Sequence, residues 1–155
     1  VANINSDNTT VISGSFEGLD YLCEQAILNH AHSARRLNVS VPSHCPLLTP
    51  QAEELHTMML EIPMHRPRCG YVSTNRARVI RDVDEIRRDL AFNMSQTVHL
   101  SETLAMMSQR GVDLAIETSP GTVLTRLCQA AMPHTRCLSL ESTKSDHILE
   151  WTDRI

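Results

Sequence analysis

The sequence predicts an α/β fold. Short β-branched segments alternate along it with amphipathic stretches of helical length, and proline or glycine separates most of them. An apolar share of 41% is enough for a core, and aromatic residues make up only 3%. With 155 residues, the chain suits one ordinary domain or pieces of two. Its formal net charge of -4 excludes a nucleic-acid binder that works through a broad basic field. No apolar run approaches the roughly 18 residues of a membrane span, and the polar start carries no basic signal-peptide region. The five cysteines have no C-x-x-C spacing, which reads as free thiols of a reducing, cytoplasmic setting and argues against a structural zinc site.

Val1-Ala2-Asn3-Ile4-Asn5 alternates apolar and polar residues like the inside of a strand, so a longer protein containing this segment is expected. Val11-Ile12-Ser13-Gly14 is the next strand signal. Phe16, Leu19, Leu22, Cys23, Ala26 and Ile27 form a helical stripe over 16–28, with Ser15 as its cap. Leu37-Asn38-Val39-Ser40-Val41 alternates and predicts a strand that Pro42 ends. Thr49-Pro50 followed by acids predicts a capped helix to about Ile62. Gly70–Ser73 reads as a strand, Asp82–Phe92 as a helix, and Ser101–Gln109 as a helix stopped by Arg110-Gly111. Val112–Glu117 reads as a buried strand. Ser119-Pro120-Gly121 is a tight turn opening a helix over 122–131, and Arg136–Leu140 is the last strand. The tail from 142 is polar except for Ile148, Leu149 and Trp151, and reads as a docking helix or a loose end.

His44 is the leading candidate for chemistry. It follows the predicted strand, between Pro42 and Pro46, and loops leaving strands carry function in α/β folds. An imidazole there suits a general base, and it equally suits a histidine that only bonds its own loop. Neighbouring side chains in an extended segment point to opposite sides, which separates His44 from Cys45 and makes Cys45 a small buried thiol. Ser15 lacks the glycines of a nucleophile elbow, and no G-x-S-x-G occurs in the chain. His30 and His32 are weak metal candidates and fit a solvated helix end. Arg35-Arg36 and Arg87-Arg88 read as solvated faces, and an anion-binding role for Arg76 or Arg78 has no support. The 119–121 turn offers amides to an anion, although a plain strand-to-helix turn explains it better.

Three segments together carry a resemblance: Val1–Asn5 with Val11–Gly14; Val39-Ser40-Val41-Pro42-Ser43-His44-Cys45-Pro46-Leu47-Leu48; and Glu117-Thr118-Ser119-Pro120-Gly121-Thr122-Val123-Leu124. The chain resembles the C-terminal half of the malonyl-CoA:acyl-carrier-protein transacylase family across most of residues 1–141. Within that family, Tyr71–Arg78 and the run around Asn93 resemble the malonate decarboxylase transacylase (epsilon) subunit.

The resemblance implies malonyl transfer from malonyl-CoA to a carrier-protein thiol by a Ser-His acyl-enzyme route, with no cofactor and no metal. It implies His44 as the base, the backbone carbonyl of Asn93 as the group orienting it, and Asn5 near the substrate. The family's serine elbow and carboxylate-binding arginine fall before Val1, so this chain alone is expected to be inactive and unstable without its other half. Partners implied are an acyl carrier protein, malonyl-CoA and other malonate decarboxylase subunits, with no nucleic acid or membrane. The implied fold is part of a ferredoxin-like small subdomain at 1–41, the C-terminal part of an α/β-hydrolase-like acyltransferase subdomain at 42–141, and a tail at 142–155. A non-catalytic domain that binds a carrier protein or assembles a complex is the other reading.

Overall fold

The computed structural model describes residues 1–152. The last three positions of the predicted tail lie outside the described residues. Strands β1 (Asn3–Ser6) and β2 (Thr9–Val11) form an antiparallel hairpin, and β5 (Val98–His99) adds to β1 in parallel. Helix α1 (Phe16–Leu28) follows, then a long irregular loop. A 3-10 turn (Pro46–Leu48) leads into α2 (Thr49–Leu60), and α2 packs on α3 (Val83–Phe92). Between these helices lies a second hairpin, β3 (Tyr71–Ser73) with β4 (Arg78–Ile80). A second 3-10 turn, Asn93–Ser95, joins α3 to β5. Helix α4 (Leu100–Gln109), β6 (Leu114–Glu117), α5 (Val123–Ala131) and β7 (Arg136–Ser139) make a parallel β-α-β unit, and α6 (Ser145–Thr152) closes the described chain.

Local chemistry sets most boundaries. Ser15 accepts the Gly18 amide at the start of α1, and Asp82 accepts the Glu85 amide at the start of α3. Gly111 takes φ 69 just after α4, where a side chain would be strained. Leu104, Met132 and Cys137 are buried together under α4, α5 and β7, with Leu100, Met107 and Leu127 around them. Ala52, Ile86 and Ala91 are buried on α2 and α3, where small residues let the helices approach closely.

Several expectations are corrected. The strand expected at 11–14 stops at Val11. No strand forms at 37–41: Leu37, Val39 and Val41 are 53%, 62% and 51% exposed, and the amides of Val39 and Ser43 donate two residues back instead of to a neighbouring strand. Alternation makes a strand only where an edge is available to pair with, and none of the described residues offers one here. Thr49 is the first residue of α2 rather than its cap, because the Pro46–Leu48 turn runs straight into the helix. Strand β4 was not foreseen, since its turn uses Ala77 at φ 47 in place of glycine or asparagine. The two-residue β5 was also unforeseen. Strand β6 begins at Leu114 and is half-exposed instead of buried, with Ile116 39% exposed. The apolar stripe of α1 covers little, and none of its residues is fully buried. The tail forms α6, with Ile148 buried and the Arg136 guanidinium over the Trp151 ring.

Candidate functional site

His44 sits at φ 58, a left-handed conformation that costs a non-glycine residue about 1–2 kcal/mol. Two bonds compensate. Its amide donates to the Met94 carbonyl at 2.7 Å, and its ring Nδ1 lies 2.8 Å from the Asn93 carbonyl. Net values near 1 kcal/mol per bond are enough to hold the strained backbone. Both carbonyls belong to the 3-10 turn after α3, so one turn grips the main chain and the ring together. Ser13 donates to the Ser43 carbonyl at 2.7 Å and ties the same loop to the end of the β1–β2 hairpin.

The ring's chemistry follows from its partner. A carbonyl oxygen only accepts, so Nδ1 must carry the proton. Neutral imidazole has one N–H, which leaves Nε2 with a free lone pair. The half-buried ring is therefore held as a base whose proton-accepting atom points away from its anchor. The expected strand before the His44 loop is absent, so these bonds take over the positioning that a strand end was expected to provide.

A second network lies behind the turn. Asp89, in the last turns of α3, is 1% exposed, and its carboxylate accepts from Tyr71 Oη at 2.8 Å and from Ser73 Oγ at 2.6 Å. Burial first, then the bond to Asp89 and its negative charge, push the Tyr71 phenol well above its ordinary range. Ser73, fully buried, also lies 2.5 Å from Asn75 Oδ1, and the Asn75 amide meets the Gln96 amide. This polar cluster, buried at Asp89 and Ser73 and open at Gln96, carried no sequence signal beyond single polar residues.

The other candidates fall elsewhere. Asn5 sits at the bulge in β1, between the Ile4–Thr10 and Ser6–Thr9 pairs, and no hydrogen bond joins it to His44 or Asn93. Cys45 is half-buried rather than buried, its backbone is extended, and no bond links it to His44. His30 and His32 are exposed at the end of α1, and no group of three metal-ligating side chains gathers among the described residues. Arg76 and Arg78 both pair with Glu85, at 3.4 and 2.7 Å. Arg87 corrects the solvated-face reading: it is 9% exposed, donates to the Met59 carbonyl at 2.9 Å and pairs with Asp84.

The 119–121 turn keeps its amides for the chain's own carboxylates. Glu117 accepts from the amides of Leu124 at 3.0 Å and Thr125 at 2.7 Å, and from Thr125 Oγ1 at 2.6 Å. Glu141 accepts the Gly121 amide. The Thr125 hydroxyl, then the two amides and the Arg126 charge, hold the Glu117 carboxyl below its usual range against partial desolvation. This is a self-capped strand-to-helix turn and not an open anion site. Two hollows, of about 360 and 310 Å³, are lined by Thr125, Gln129 and Ser142 and by Arg66, Arg81 and Val83; neither includes His44.

The architecture is that of one half of an α/β acyltransferase fold, as comparison with known proteins shows. The homologues are malonyl CoA-acyl carrier protein transacylases. That of Haemophilus influenzae is 30% identical over 151 residues, covering 96% of this chain and 47% of the relative. The solved transacylase of Coxiella burnetii superposes with a TM-score of 0.89 at 30% identity, over 99% of this chain and 48% of the other. A malonyl-transacylase solved with its type II PKS acyl-carrier protein matches with a TM-score of 0.75 at 27% identity, over 89% of this chain and 44% of the other. The chain thus spans about half the length of the relatives it matches. No family model matches it.

Proposed function

We propose that this chain supplies the general base of a malonyl transfer from malonyl-CoA to the thiol of an acyl carrier protein. The 2.8 Å contact between His44 Nδ1 and the Asn93 carbonyl supports this reading most directly, because it leaves Nε2 unprotonated. In the proposed first half-reaction, a serine hydroxyl attacks the malonyl thioester as Nε2 takes its proton. The C–S bond breaks, the proton passes to the CoA sulfur, and malonyl remains on the serine. The carrier thiol then gives its proton to Nε2 and attacks the ester, and the serine oxygen leaves with that proton. A carbonyl behind the ring carries no net charge, so the imidazolium gains less stabilisation than from a carboxylate.

The chain has no G-x-S-x-G, so in this proposal the serine comes from a segment other than residues 1–155, together with an arginine for the malonyl carboxylate. Asn5 is proposed to face substrate. Residues 1–41 are proposed as part of the small subdomain and 42–141 as part of the larger one, with His44 at their junction. The finer setting proposed is a malonate decarboxylase complex in the cytoplasm, supported by the resemblance of Tyr71–Arg78 to its transacylase subunit and by five free thiols. The second reading is a non-catalytic carrier-binding or assembly domain. Steady-state transfer of radiolabelled malonyl to carrier protein, by the full-length protein with and without His44→Ala, separates the two. The catalytic reading expects a loss of about 100-fold or more; an unchanged rate leaves the binding reading.

A further inference from the structure

The 93–96 turn carries both carbonyls that hold His44, so whatever fixes that turn fixes the base. On one side the Asn93 amide donates to the backbone carbonyl of Asp89. On the other the Gln96 amide donates weakly to the Asn93 carbonyl, at 3.4 Å, the same oxygen that meets the His44 ring. A chain of side chains connects these two ends behind the turn: Asp89, Ser73, Asn75 and Gln96. The Asn93 side chain itself makes only a 3.4 Å contact with Thr74.

We infer that Asn75 and Gln96 are positioning residues for His44, acting as a brace from the buried Asp89 carboxylate to the end of the 93–96 turn. The inference rests on the reading of His44 as base. The chemistry also sets the direction of the brace. Ser73 has one hydroxyl proton and two close acceptors, and a carboxylate is the stronger of them. With that proton on Asp89, Asn75 must turn its NH2 toward the serine oxygen and its carbonyl toward Gln96, which then donates from its own NH2. Each donor in the row then points toward Asp89, and no two acceptors face one another.

The test uses the full-length protein with 15N-labelled histidine, the His44 signals being assigned by their loss in His44→Gln. Wild type is expected to show His44 locked as the Nδ1–H tautomer. Gln96→Ala, at an exposed position, and Asn75→Ala are each expected to release it into a mixture of tautomers and to lower kcat about tenfold with KM unchanged. Gln96→Glu, which cannot donate, is expected to behave as Gln96→Ala. A locked tautomer in both alanine variants overturns the brace. A locked tautomer in Gln96→Glu alone overturns the inferred direction. A tautomer that responds as expected, in a protein whose malonyl transfer survives His44→Ala, instead sinks the catalytic reading and leaves the brace standing.

Discussion

Removing the Tyr71 hydroxyl tests the buried network quantitatively. Tyr71→Phe keeps the ring and deletes the 2.8 Å bond to Asp89 Oδ2. Asp89 is 1% exposed, so water is poorly placed to replace the lost donor. A bond to a charged partner contributes about 2 kcal/mol, which for a chain of this size is roughly 4–8 °C in Tm. Adding Ser73→Ala to Tyr71→Phe removes the other close donor as well, at 2.6 Å, and leaves, among the described residues, the Arg76 guanidinium at 4.0 Å. The double variant is therefore expected to lose more than the sum of the single variants, because a carboxylate with no near donor bears its full desolvation cost. Urea unfolding at an unchanged m-value gives the three numbers.

The pH dependence adds an independent check. The phenol's folded value is raised, so above about pH 10 the native state keeps a proton that the unfolded chain releases. Stability from this group is whole below that pH and declines as pH rises toward the folded value. Tyr71→Phe should therefore approach wild type in alkali. A single-variant cost below about 0.5 kcal/mol, or a gap that widens in alkali, would refute the claim that Asp89 depends on Tyr71.

Three further outcomes are expected. Asn93→Ala should leave malonyl transfer close to wild type, since the proposed base, His44, is held by the backbone carbonyl and the side chain's one contact is long. Glu117→Gln should cost stability at neutral pH and converge with wild type in acid: the carboxylate's folded value is lowered, so its contribution is whole above the unfolded value of about 4.3 and is lost as pH falls from there through the lower folded value, as acid melts would record. Alkylation at pH 8 followed by peptide mass spectrometry should modify exposed Cys69 well before Cys128, whose thiol is pushed up to about 11 by burial and then by neighbouring Cys137 and Glu117, and before buried Cys137.

The helices were legible because their signals are local. Ser15 caps where the spacing placed it, α3 starts within one residue of its expected start with Asp82 as cap, and the Arg110-Gly111 stop needs nothing from elsewhere. Strands were less legible because a strand needs a partner: Leu37–Val41 has the alternation without the edge, and β4 has the edge behind a turn that lacks the usual glycine. In the site, His44 could be singled out from its prolines. Its φ of 58 and its two carbonyl anchors, 49 residues away for the ring contact, could not be read from spacing. The Asp89 cluster was invisible for the same reason, since its members join one strand, one helix and two turns. The 119–121 turn misled in the opposite direction, because the acids that fill it come from the strand before it and from just beyond β7.

The most direct test of His44 as base is the single-turnover rate at which the full-length protein becomes covalently malonylated by malonyl-CoA, compared with His44→Ala at matched folding. The account predicts that labelling slows by about 100- to 10,000-fold in the variant, the range for a lost general base. Labelling at the wild-type rate would contradict it and leave His44 as a residue that only ties its loop to the turn after α3.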